Sequence, residues 1–99
     1  MRKIEEQMLK AIRSQTSWKS GNTKVVYFGW PNSGICTVYL HNTRIATTCN
    51  NSGLIMWDIP NLNTRPTPTT RSRVRALKVG LPNYTSINGA ALANLPFDL

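Results

Sequence analysis

The sequence predicts an α+β fold: an N-terminal helix, a four-stranded antiparallel β-meander and a basic C-terminal helix. Three observations carry this. Apolar residues over positions 1–14 recur at helical spacing. Four runs rich in β-branched and aromatic residues follow, parted by short gaps of turn composition. A proline-rich connector then leads into a second short helical pattern that a glycine closes. At 99 residues the chain predicts one small domain, 1–99, with one modest core.

In segment 1–14, Ile4, Met8, Leu9 and Ile12 form the apolar stripe, with Ala11 beside them. Arg2, Lys3, Glu5, Glu6, Lys10 and Arg13 fill the other face. Acids near the start and Arg13 near the end suit the helix dipole. Gly21-Asn22 marks a turn. The strands are expected at 23–28, 35–40, 43–49 and 54–59, and the short gaps imply antiparallel hairpins.

A two-residue His41-Asn42 turn would set Leu40 against Thr43, Val38 against Ile45 and Cys36 against Thr47. With Cys49 against Leu54, one face then carries Cys36, Val38, Leu40, Ile45, Cys49, Leu54 and Met56. At least one helix should pack on that face. The other carries Ile35, Tyr39, Arg44, Ala46, Ile55, Trp57 and Ile59, with Tyr39 opposite Arg44 and Ala46 opposite Trp57. It is too apolar to stay wholly wet.

Residues 60–68 read as a proline-rich connector without helix or strand. Thr69-Thr70 then caps a helix over 70–79, with Gly80 just past its end and Pro82 beyond. Residues 81–99 read as an irregular tail, in which Tyr84 to Ile87 could form a short strand.

Composition narrows the function classes. Twelve Lys and Arg against four Asp and Glu give a net charge of +8. Residues 1–24 carry +4, residues 25–64 are neutral and residues 65–78 carry +5. No apolar run approaches the ~18–20 residues that span a bilayer, so no membrane association is expected. Two cysteines are too few for a disulfide scaffold; Cys36 and Cys49 are expected as buried free thiols on one face. There is no CxxC, and His41 is the only histidine, so neither a metal site nor another cofactor is expected. No glycine-rich phosphate loop and no nucleophile–base pairing point to an enzyme.

The candidate binding residues cluster near the second helix. Arg71, Arg73, Arg75 and Lys78 lie on it, Arg65 precedes it, and no acid occurs in 59–97. At 100° per residue, Arg71, Arg75 and Lys78 fall within about 60° of one another. Such a row can neutralise backbone phosphates of DNA or RNA, with Thr69, Thr70 and Ser72 adding hydroxyls. Behind that reading stand a basic surface for an acidic protein partner and a plain solvated face. Tyr39 and Arg44 could stack single-stranded bases on an open sheet, or lie under a helix as ordinary core. Trp30, before Pro31, could anchor a protein partner or fold over the sheet edge.

Three segments carry a resemblance: MRKIEEQMLKAI at 1–12, VYLHNTRIA at 38–46 and TTRSRVRAL at 69–77. In that order, with Trp18 and Asn22-Thr23 between the first two, the chain resembles a family of small uncharacterised proteins of tailed bacteriophages. The resemblance spans roughly residues 1–80. It implies a product made in the cytoplasm of an infected bacterium and carries no activity with it. The two roles it leaves foremost are binding nucleic acid and binding a host protein. The second, apolar sheet face also admits a homodimer.

Overall fold

The computed structural model describes residues 1–29, 33–64 and 66–87. The elements run α1 (Lys3–Arg13), β1 (Trp18–Ser20), β2 (Thr23–Phe28), β3 (Ile35–Leu40), β4 (Thr43–Cys49), β5 (Leu54–Trp57), α2 (Ile59–Thr64), α3 (Pro68–Gly80) and β6 (Thr85–Ile87). The class is α+β, as expected, but among the described residues the sheet has six strands, not four, in chain order β1 to β6. Neighbours pair antiparallel from β1 to β5, and β6 joins β5 in parallel. A parallel neighbour needs a crossover, which α2 and α3 supply.

The predicted connector at 60–68 is therefore corrected: it holds α2 and the start of α3. Asp58 is the reason. Its backbone oxygen accepts the Leu62 N–H at 3.0 Å and its carboxylate accepts the Asn61 N–H at 3.3 Å. Asp58 thus ends the strand at Trp57 rather than at residue 59. Pro60 sits in the first turn of α2, where its missing N–H costs nothing. Helix α3 likewise starts two residues before the predicted 70. Thr67 caps it, its hydroxyl accepting the Thr70 N–H at 3.2 Å, and Pro68 follows at the favoured first position. Gly80 closes the helix as its last residue.

The expected register holds at the turn and fails beyond it. Leu40 faces Thr43 and Tyr39 faces Arg44, but Val38 faces Ala46 across a β-bulge, not Ile45. Ile45 is the extra residue, and both Ile45 and Ala46 are buried. One added residue swaps every later side chain to the other face. The inner face therefore carries Val25, Cys36, Val38, Leu40, Ala46, Thr48, Ile55 and Trp57, all buried. Cys49, Leu54 and Met56 move to the outer face, opposite to expectation. Ala46 still faces Trp57 and Cys49 still faces Leu54. The two thiols are free, as expected, but lie on opposite faces, with Cys49 only half buried.

The three helices of the described residues belong to the inner side. Met8, Leu9 and Ile12 of α1, Leu62 of α2, and Val74, Ala76 and Leu77 of α3 join the sheet residues in one core. The Ile12 carbonyl accepts from the Asn50 amide at 2.9 Å, and Arg13 donates to the Gly80 carbonyl at 2.5 Å, closing α3 against α1. A Cβ on Gly80 would run into the Leu9 side chain, so glycine sets how closely the helices approach. The expected packing of a helix on the Cys36, Val38, Leu40 and Ile45 side is what the fold shows.

Candidate nucleic-acid interface

Helix α3 sorts its own cations. Thr70, Arg73, Val74, Ala76 and Leu77 are buried, whereas Arg71, Arg75 and Lys78 are exposed. At 1.5 Å per residue the exposed three span about 10 Å along one stripe. Arg75 also lines a groove of about 510 Å³ between α3 and the start of α1, with Met1, Arg2, Glu5, Ser72, Ala76 and Val79. Arg2 thereby adds a fourth cation from across the groove.

Arg73 is corrected: it is buried and cannot reach a bound phosphate. Its Nη1 donates to Glu5 Oε2 at 2.8 Å and its Nε to Thr23 Oγ1 at 3.0 Å, with both charged side chains 4% exposed. Glu5 also accepts from the Arg2 backbone N–H at 3.2 Å and from the Ser72 hydroxyl. Burial pushes its carboxyl up. The hydrogen bonds from Ser72, the Arg2 N–H and Arg73, with the Arg73 charge, outweigh burial and hold it below the ordinary value. Thr70 is likewise withdrawn, buried with its hydroxyl 3.0 Å from that of Thr67. Ser72 is occupied by Glu5.

Tyr39, half-buried, and Arg44, exposed, stand opposite each other on the outer face and take no part in the core that the described helices share with the sheet, so of the two readings it is not the buried-core one that the geometry favours. Phe28 and Met56 on this face are 51% and 44% exposed. Arg44 is exposed but pairs with Asp58 at 2.9 Å. The Lys24 ammonium lies 4.8 Å from the Tyr39 ring centroid. Register extends this into a transverse row, Lys19, Lys24, Tyr39 and Arg44. Lys19 and Lys24 were not among the sequence candidates, because β1 is too short to announce itself. Trp30 and Arg65 lie outside the described residues.

The thiols differ in character. Burial pushes Cys36 up, against a weaker hydrogen bond from Thr48. Hydrogen bonds from the Ser52 side chain and backbone draw Cys49 down. Among the described residues no group of His, Cys, Asp or Glu could hold a metal ion, and no helix is long and apolar enough to cross a membrane.

The family model described as Kyanoviridae Gp96 protein matches residues 1–88, and the chain belongs to that family. This agrees with the tailed-phage resemblance carried by the three segments. No curated protein and no solved structure matches the chain.

Proposed function

We propose that this member of the Kyanoviridae Gp96 protein family is a non-enzymatic phage protein that binds nucleic acid in the cytoplasm of the infected host. The observation that carries the reading is the division of charge on α3. The fold neutralises Arg73 internally and turns Arg71, Arg75 and Lys78 outward along one stripe, with Arg2 across the groove. A stripe of this length spans neighbouring phosphates, and each neutralised phosphate releases condensed counterions. Specificity for base sequence would need contacts to base edges in addition.

Fluorescence anisotropy with duplex and single-stranded DNA at several salt concentrations tests this. Affinity should fall steeply with salt. Replacing Arg71, Arg75 and Lys78 by Ala together should shallow the log–log slope by up to about 2–3 units. Absence of binding at low salt ends the reading.

One observation favours a second reading, a modulator that docks on a host protein. Val79 and Met1, 62% and 61% exposed, sit with Ala76 in the same groove as Arg2 and Arg75. An apolar floor with cationic ends fits an acidic amphipathic segment, and a phosphate backbone needs no such floor. A pulldown from nuclease-treated bacterial lysate separates the two: a stoichiometric protein that survives nuclease supports the modulator.

A further inference from the structure

We infer that the tips of the β1–β2 and β3–β4 hairpins form an oxyanion site that takes a phosphate group, separate from the α3 stripe. Register sets Lys19 directly opposite Lys24. Opposed residues stand about 4.5–5.5 Å apart at Cβ, and like charges so placed destabilise a sheet. Among the described residues no carboxylate pairs with either; the Tyr39 ring under the Lys24 ammonium is the contact that eases the repulsion. The sequence has no acid between Glu6 and Asp58, and the ion pairs among the described residues are Arg44–Asp58 and Arg73–Glu5. An anion seated between the ammonium groups would turn the repulsion into attraction.

The surroundings are built for that. A concavity of about 280 Å³ is lined by Lys19, Gly21, Asn22, Lys24, His41 and Asn42. The lining holds two ammonium groups, two amides and an imidazole, and no carboxylate. The two turns are tied together. The Asn22 carbonyl accepts the His41 N–H at 2.8 Å, and the Asn22 amide nitrogen lies 3.4 Å from His41 Nε2. Thr23 donates to Asn22 Oδ1 at 3.0 Å while accepting from the buried Arg73, so the pocket rim is anchored to the core. His41 and Asn42 stand at φ of +52° and +63°, the left-handed pair that a two-residue hairpin turn requires, which fixes where their side chains leave the turn. A tetrahedral oxyanion accepts from several donors at once, and ammonium groups serve it as point charges. The pocket adjoins the outer face beside Tyr39, so the phosphate could belong to a nucleic-acid strand or be free.

The test titrates isotope-labelled protein with inorganic phosphate, and with chloride at equal ionic strength, following the amides of Gly21, Asn22, His41 and Asn42 by NMR. Saturable shifts in phosphate alone are expected. Lys19→Glu should weaken the phosphate response at least tenfold and raise Tm, because the opposed pair becomes attractive. Lys24→Gln should weaken it without reversing the charge. Equal shifts in chloride, undiminished phosphate binding in Lys19→Glu, or a lowered Tm in that variant would overturn the site. A short oligothymidylate separates the sources. Saturation at a lower phosphate concentration than with inorganic phosphate assigns a strand backbone, and the reverse assigns free phosphate. The Arg71, Arg75 and Lys78 triple variant should keep these shifts, so loss of the α3 stripe and loss of this site are read independently.

Discussion

Replacing Arg73 by Met tests the buried centre of the fold most directly. Methionine keeps much of the arginine stem and removes the charge and its donors. Glu5 would then keep Ser72 and the Arg2 N–H but lose its counter-charge in a site where its side chain is 4% exposed. Thr23 Oγ1 would lose the Arg73 Nε donor. Breaking a buried pair from one side costs about 3–5 kcal/mol. Glu5 borders the groove at the α1–α3 junction, where water can approach, which places the cost near the lower figure. For a domain of this size each kcal/mol moves Tm by about 4–8 °C, so a fall of roughly 12–24 °C is expected. Urea unfolding across pH is the assay. The Glu5 carboxyl titrates below its ordinary value in the folded protein. Its stabilisation is thus complete above the unfolded value and lost as pH falls through the folded one. In the variant the lone carboxylate is a liability, which protonation relieves. The gap between wild type and Arg73→Met should therefore narrow in acid. Glu5→Leu combined with Arg73→Met should recover much of the loss, since a well-packed apolar pair can replace a buried ionic one. A cost under about 1 kcal/mol, typical of surface pairs, or a gap indifferent to pH, would refute the argument.

Other outcomes follow from single contacts. Gly80→Ala should lower stability by about 1–3 kcal/mol in urea, because the methyl group meets Leu9 and overpacking outweighs the gain in helix propensity. Asn42→Gly should raise stability by up to about 1 kcal/mol, since the second turn residue has φ +63° and glycine enters that region freely. Under native conditions a thiol reagent should modify Cys49 first, and Cys36 only at the rate of opening, read by mass spectrometry.

The strands β2, β3 and β4 were legible to the residue because β-branched runs end sharply at gaps of turn composition, six residues after β2 and two after β3. The bulge was not, because nothing in Arg44-Ile45-Ala46 says which residue is surplus; the choice lies in burying both Ile45 and Ala46. Helix α2 was hidden by Ile59 and Pro60, which read as strand and breaker until Asp58 is seen to accept the Asn61 N–H. On α3 the same wheel that groups Arg71, Arg75 and Lys78 sets Arg73 among Val74, Ala76 and Leu77, so its burial could have been found by asking which cation the apolar arc contains. Its partner could not, because Glu5 lies 68 positions away. Lys19 opposite Lys24 was invisible for another reason: three residues of β1 carry too little pattern to assign a register.

Strand β6 bears on the making of the protein. The hairpins from β1 to β5 join neighbours in sequence and can form within microseconds of leaving the ribosome. The partner for the free side of β5 arrives only with Thr85–Ile87, after the crossover. At about 5–20 residues per second, the 30 positions from Trp57 to Ile87 take roughly 2–6 seconds to synthesise. Through that interval β5 presents unpaired backbone groups to any extended segment nearby, including the same edge of a neighbouring nascent chain. Three residues of β6 thus end the period in which the growing chain is open to pairing with the wrong strand.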